Sequence, residues 1–378
     1  MANPDDVVLL YAVGNIQVER DDPESYFALC SSTIKEADVA FGQVETNYSE
    51  RGCRQVGTRF PARSHPRNAP AIKNAGFSVG SLAGNHCLDW GPDALQDTIV
   101  ILKKLGLKVV GVGKNIAEAR TPAIAEAKGT KIGFLAYNSI LPHRYWAEEN
   151  NPGCAPIRGL TLYEQRELEQ PGTPATIHTY AHAGDMAAML DDIKKLRPKV
   201  DVLILSLHFG LHFIPAELAD YQIEYTHAAI DAGTDLIIGH HAHILKGIEV
   251  YKGKAIFYSL GNFGFDLNLP KEELEGPRFK VMMRLNPSWT IDPEYPTYPF
   301  PADSRMTGMV KCNIVNKKIE SVYFAPAYVN PKGQPRFVRR DEKENKQTFD
   351  YMRWLCQEEG FNTKQTYEGD DFLVSAGS

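Results

Sequence analysis

The sequence predicts an α/β protein, and three observations carry that expectation. Short apolar runs alternate with amphipathic helical stretches over residues 7–265. Strand-like runs separated by helices favour a largely parallel or mixed sheet covered on both faces. Five of the runs end in unusual polar residues on their carboxyl side, where open α/β sheets bind ligands.

The elements follow in order. "VVLLYAVG" (7–14) reads as a buried first strand, with a helix over "YFALCSSTIKEA" (26–37). "DVAFGQVE" (38–45) is a second strand, and "PRNAPAIKNAG" (66–76) a helix ending at a glycine C-cap. "FSVGSLAG" (77–84) is a third strand. "GPDALQDTIVILKKLG" (91–106) then has a proline start, helical periodicity and a glycine stop. "KVVGVG" (108–113) is a fourth strand, and residues 121–138 read as two strands turned at Lys128-Gly129. Residues 139–183, rich in Pro, Gly, His, Tyr and charge, read as an insertion or lid. A helix (184–197), a strand "DVLILSLH" (201–208), a helix (216–233), a strand "DLIIGH" (235–240) and a hairpin turned at Lys252-Gly253 (246–263) complete a main domain over 1–266. From 267 to 378 we expect a C-terminal extension packed on it. There "RFKVMMRL" and "MTGMVKCNIVNKKIESVYFAP" read as antiparallel strands, and 341–360 as a closing helix.

Bulk properties narrow the function. A net charge of −6 over 378 residues argues against a non-specific nucleic-acid binder, which needs a basic face. The six cysteines form no CxxC pair, so free thiols in a reducing compartment are expected. "MANPDDVVLLYAVGN" lacks a basic leader, and its apolar run is too short for a signal peptide or a span. The expectation is therefore a cytoplasmic protein with no membrane segment. Oligomeric state is not readable from the sequence.

The polar strand ends are Gly14-Asn15, Glu45, Gly84-Asn85-His86, His208 with His212 four residues on, and the cluster His240, His241 and His243. Neutral imidazoles with Glu and Asn oxygens suit borderline divalent ions such as Zn, Mn, Fe or Co. One strand-end histidine is more often a hydrogen-bonded or surface residue, and Gly84-Asn85 alone could be a turn. The ensemble is harder to explain that way, and a metal site is the better reading. Just ahead of the third strand, "ERGCRQVGTRFPARSHPR" (50–67) supplies five arginines, Arg59 and Arg63 among them. Arginine forks suit carboxylates or phosphates, and a solvated basic loop is the plain alternative.

The segments "FGQVET", "AGFSVGSLAGNHCLDWG", "KIGFLAY", "DVLILSLHFG" and "IDAGTDLIIGHHAHILKGIEVYKGKAIFYSLGNFGFD" resemble the CapA/PgsA family, named for poly-γ-glutamate capsule synthesis, in the calcineurin-like metallophosphoesterase superfamily. The resemblance spans about residues 7–266. It implies a four-layer α/β/β/α metallophosphatase-like sandwich with one or two divalent metals at the sheet edge. It maps metal ligands onto Asn15, Glu45, Asn85, His208, His240 and His243, and an acid near the leaving group onto His86. Three positions depart from the family pattern. Asn15 stands where Asp is usual, Gln43 replaces the Asn of the usual FGNLE, and His212 occupies a Glu position. From its opening residues the chain is also expected to lack the N-terminal anchor usual in the family.

The resemblance and the donor set together favour hydrolysis of a γ-glutamyl or peptide amide in an anionic, polyglutamate-like substrate. Glu45 or Asp89 would serve as base and His86 as acid, with Arg59, Arg63, His212 and His241 binding substrate. Three rival readings use the same residues: peptide epimerisation by α-proton abstraction, phosphoester hydrolysis, and a non-catalytic polymer-binding or assembly subunit.

Overall fold

The computed structural model describes residues 6–56, 58, 60–170, 172–286 and 288–377. Arg59, one of the expected substrate-binding residues, lies outside them. Sixteen principal strands run in chain order. They are β1 (Val8–Gln17), β2 (Val39–Val44), β3 (Val79–Ser81), β4 (Lys108–Val110), β5 (Ala123–Ala127), β6 (Thr130–Asn138), β7 (Val202–His208) and β8 (Leu236–His240). Then come β9 (Ile248–Tyr251), β10 (Lys254–Phe257), β11 (Asn262–Phe265), β12 (Met306–Val315), β13 (Lys318–Val329), β14 (Pro335–Phe337), β15 (Thr363–Glu368) and β16 (Asp371–Ala376).

They form two large sheets. The first has the order β15-β16-β13-β12-β1-β2-β3-β4, with β11 beside the carboxyl end of β1 and β14 beside β13. The second runs β9-β10-β8-β7-β6-β5. Strands β1 to β4 are mutually parallel, as are β6, β7, β8 and β10.

Side-chain alternation explains how the sheets stack. In the second sheet Phe134, Val202, Ile204, Leu236 and Ile238 join the same buried core as Ala12 and Phe41 of the first. The Phe41 and Phe134 rings stack across the gap at 5.6 Å. The alternate residues Leu135, Leu203, Leu205 and Ile237 point the other way. They bury against Met189 and Ile193 of one helix (Ala183–Leu196) and Tyr225 and Ala229 of another (Asp220–Asp231). Helices Pro70–Ala75 and Gly91–Lys104 bury Ile72, Leu95 and Leu102 on the first sheet's side. The result is the four-layer α/β/β/α arrangement, because a strand buried on both faces needs a partner layer on each.

Both Lys-Gly turns form as expected, with Lys128 and Gly129 at φ 46° and 73° and Lys252 and Gly253 at 49° and 75°. Other segments differ from expectation. "RFKVMMRL" is a helix (Pro277–Met283), opened by Gly276-Pro277 and burying only Phe279. Its proline start outweighs the β-branched and apolar content that suggested a strand. The 26–37 stretch divides into a 3₁₀ turn (Pro23–Phe27) and a single helical turn (Ser31–Ile34). Residues 139–183 carry an exposed two-stranded ribbon, Gly159–Glu164 against Thr176–Ala181. Beyond 267, β12, β13, β15 and β16 enter the first sheet itself, and helix Lys343–Glu358 covers its end. Among the described residues no helix is long and apolar enough to cross a membrane.

Candidate metal centre and its cleft

The parallel strands of both sheets end at one edge, and this is where the polar residues gather. His208 and His240 close β7 and β8 in register with each other. Glu45 follows β2, and Asn85 and His86 follow β3. Glycine makes two of these exits feasible. A Cβ on Gly14 would sit 2.1 Å from the Gly261 carbonyl oxygen, and one on Gly239 would sit 2.1 Å from that of Tyr258. Past β8 the backbone turns left-handed at His241 (φ 89°) and His243 (φ 57°), a conformation costing on the order of 1–3 kcal/mol per non-glycine residue. Strain of that kind clusters at binding sites, and here it aims successive imidazoles into one space.

Glu45 is the centre of that space. It is 1% exposed, and its Oε1 lies 3.5 Å from His208 Nε2 and 3.9 Å from His243 Nε2. Glu45, His208 and His241 each offer one ligand atom, all within 4.8 Å of one another. Asn85 Oδ1 is 2.7 Å from His208 Nε2, and His241 Nδ1 is 3.1 Å from the same nitrogen. Asn15 donates its amide to Asn262 Oδ1 (3.4 Å), and that oxygen also takes His243 Nδ1 (2.7 Å). Thus Asn15, Glu45, Asn85, His208 and His243 converge as the sequence suggested. His240 lies in the same buried region against Phe41, outside the compact Glu/His/His group. His241, expected to bind substrate, is inside it. His212 stacks on His241 with ring centroids 3.8 Å apart.

The donor set fits a borderline divalent cation. Among the described buried atoms without a hydrogen-bond partner are Asn15 Oδ1, both Glu45 oxygens, His208 Nδ1 and both His240 nitrogens. Each such atom costs about 1–3 kcal/mol when left unsatisfied, so their concentration in one place calls for a cationic partner. Burial holds His208 and His241 well below the ordinary imidazole range and His243 down to about 4, which keeps their lone pairs free. Burial also pushes Glu45 up to about 8, against the pull of a charged His86. A nearby cation would reverse that rise.

A second group stands beside the first. His86 Nδ1 donates to Asp89 Oδ2 at 2.5 Å. The same oxygen accepts the Ala62 N–H (2.8 Å), and Asp89 Oδ1 accepts the Tyr145 hydroxyl (3.0 Å). With three donors on a 2% exposed carboxylate, Asp89 is suited to orienting His86 and poorly placed to take a proton itself. Tyr145, one of the aromatics in 139–183 that suit either a lid or surface packing, is buried and reaches the site through that hydroxyl. Gln43 donates to the Ala83 carbonyl (3.2 Å) and so braces the Asn85-His86 turn.

Arg63 is not at the cleft. Its Nε donates to the Ser49 carbonyl (2.6 Å), and its guanidinium lies 4.3 Å from the centre of the Trp90 ring. Cation–π stacking and carbonyl bonding fix it as a brace for the loop. Arg51 is likewise tied to Asp97, and Arg67 to Asp21. Arg51, Arg63 and Arg67 therefore do not line the site, although Thr58, Phe60, Pro61 and Ala62 of the same segment do. Beside the donor group is a cavity of about 600 Å³, lined by Asn85, His86, His212 and His243 and by mainly apolar side chains.

Comparison with known proteins agrees with the motifs. The chain is 26% identical over 272 residues to the "PGA biosynthesis protein CapA" of Bacillus subtilis (strain 168), covering 69% of this chain and 64% of that one. It is 32% identical over 231 residues to a "Probable polyglutamine synthesis accessory protein" of Mycobacterium tuberculosis, covering 60% and 55%. It thus spans between half and two thirds of the length of these relatives. A putative 5'-nucleotidase structure from Staphylococcus aureus superposes with a TM-score of 0.41 at 13% identity, over 92% of this chain and 59% of that one. Residues 6–267 match the family described as "Bacterial capsule synthesis protein PGA_cap". That match takes in both sets of strand ends from which the site is built, and the chain belongs to this family.

Proposed function

We propose that the chain is a metal-dependent hydrolase that cleaves an amide bond in a γ-glutamyl or peptide substrate. One observation carries the reading. A compact Glu45/His208/His241 donor group stands next to an oriented His86–Asp89 pair, and His86 faces a cavity. Relatives named for PGA and polyglutamine synthesis support an amide built from glutamyl units.

Glu45, His208 and His241 would hold the ion, with Asn15, Asn85 and His243 beside them. A bound divalent cation lowers the pKa of a coordinated water and polarises the substrate carbonyl. The residues do the rest. Asp89 fixes the imidazole of His86 so that its other nitrogen faces the cavity. His86, charged through its pairing with Asp89, gives a proton to the leaving nitrogen as the C–N bond breaks. The stacked His212 and His241 rings shield one flank from water.

The test is metal analysis joined to turnover. After purification with Zn or Mn, the chain should carry about one equivalent of ion, and a His208→Ala/His241→Ala variant below about 0.2, given the affinities of His-rich sites. Cleavage of γ-glutamyl peptides should fall at least about 100-fold in the same variant. Undiminished cleavage in a metal-free variant would remove the mechanism. Deuterium uptake at the α-carbon without cleavage would replace hydrolysis by epimerisation.

A further inference from the structure

The cavity beside His86 has a chemical character of its own. Its far wall is built from Phe60, Leu141, Phe265, Leu269, Met282 and Phe300. Phe60 comes from the loop before β3, Leu141 from the insertion, and the others from residues 265–300. Much of this wall lies beyond the family match, which ends at 267. Arg278 is the single Lys or Arg among the described lining residues. It sits on helix Pro277–Met283, is exposed, and has no ion-pair or hydrogen-bond partner among the described residues.

A polyanion fits this enclosure badly. Among the described lining residues, several carboxylates would face aromatic and aliphatic walls with Arg278 as the one guanidinium, and an unpaired buried charge is strongly disfavoured. Arg51, Arg63 and Arg67 of the segment 50–67 are engaged elsewhere. The volume also sets a limit. Cavities of roughly 300–1,000 Å³ enclose compact ligands, and about 600 Å³ lies in the middle of that range.

We propose that the cavity selects a short amide whose residue held in the cavity carries one bulky apolar side chain and a single carboxylate. The apolar group fills the space between Phe60, Phe265 and Phe300, and the carboxylate reaches Arg278 at the mouth. The amide bond is then left beside His86. The chemistry of this proposal rests on the hydrolase reading; the binding preference does not.

Binding calorimetry on the full chain separates the two. N-acetyl-L-phenylalanine should bind at least about tenfold more tightly than N-acetyl-L-glutamate, the difference expected for burying one aromatic side chain. Arg278→Ala should weaken N-acetyl-L-phenylalanine roughly fivefold and leave the uncharged N-acetyl-L-phenylalaninamide unchanged. Arg278 is exposed, so folding is not at stake. Equal or tighter binding of the glutamate ligand, binding of neither, or an Arg278→Ala variant with unaltered affinities overturns the proposal. If the preference holds and γ-glutamyl-phenylalanine is not cleaved, only the hydrolase reading fails. Cleavage of γ-glutamyl-glutamate in preference to γ-glutamyl-phenylalanine would overturn the cavity assignment and spare the hydrolase.

Discussion

Replacing Asp89 by asparagine should destabilise the fold in a pH-dependent way. Burial alone would depress His86, but the charge and hydrogen bond of Asp89, with the Glu45 charge behind them, raise it from 6.5 to about 9. Each pH unit corresponds to about 1.4 kcal/mol, so the charged form of His86 contributes roughly 3 kcal/mol. The sign follows from a folded value above the unfolded one. The contribution is complete below pH 6.5 and disappears as pH rises through 9. Asp89→Asn removes the dominant partner and also weakens the bonds to Ala62 and Tyr145, a pH-independent cost of about 1 kcal/mol. For a chain of this size each kcal/mol moves Tm by roughly 2 °C. Thermal melts of chelator-treated protein should therefore show a deficit of about 6–8 °C at pH 6 and about 2 °C at pH 10. A deficit that is the same at both values, or larger in alkali, would refute the pairing as the source of the stability.

Two further outcomes follow from Gly14 and the half-buried Glu19. Gly14→Ala would drive a methyl group to 2.1 Å from the Gly261 oxygen, and urea unfolding should show a loss above about 3 kcal/mol; a loss under 1 kcal/mol would mean the β1 exit can open. Burial, with Asp266 adding to it, pushes Glu19 up to about 7, so its neutral form stabilises the fold below pH 4.5 and that stability is lost as pH rises to 7. Glu19→Gln should accordingly be near neutral at pH 4.5 and gain on the order of 2 kcal/mol at pH 8, by denaturant titration at each pH. No gain at pH 8 would place Glu19 in a wetter setting.

Much of this was legible in the sequence because strand periodicity is simple. The alternation in "DVLILSLH" assigns Val202 and Ile204 to one face and Leu203 and Leu205 to the other, and the core obeys it. The period holds to the strand ends, where His208 and His240 sit in register. It fails one residue later, because the left-handed turn at His241 rotates that imidazole towards Glu45 and has no signature in residue type. Arg278 was hidden for another reason. Apolar residues in "RFKVMMRL" suit a strand as well as a short helix, and only tertiary context decides. Arg63 could not be placed from sequence, because composition reports charge and is silent on the Ser49 carbonyl and the Trp90 ring that engage it. The final hairpin β15–β16 lies in polar sequence with no clear alternation.

The edges of the first strand have a consequence for how the molecule is made. One edge of Val8–Val13 meets β2, a neighbour in the chain, while the other waits for Met309–Ile314. During synthesis that second edge emerges long before its mate, leaving a row of amide and carbonyl groups open to any passing strand. Nascent chains stalled before residue 306 should thus be clients for holding factors. Since Asn15 extends from the same strand, the setting of the ion-binding group is finished only when Met309–Ile314 has been delivered.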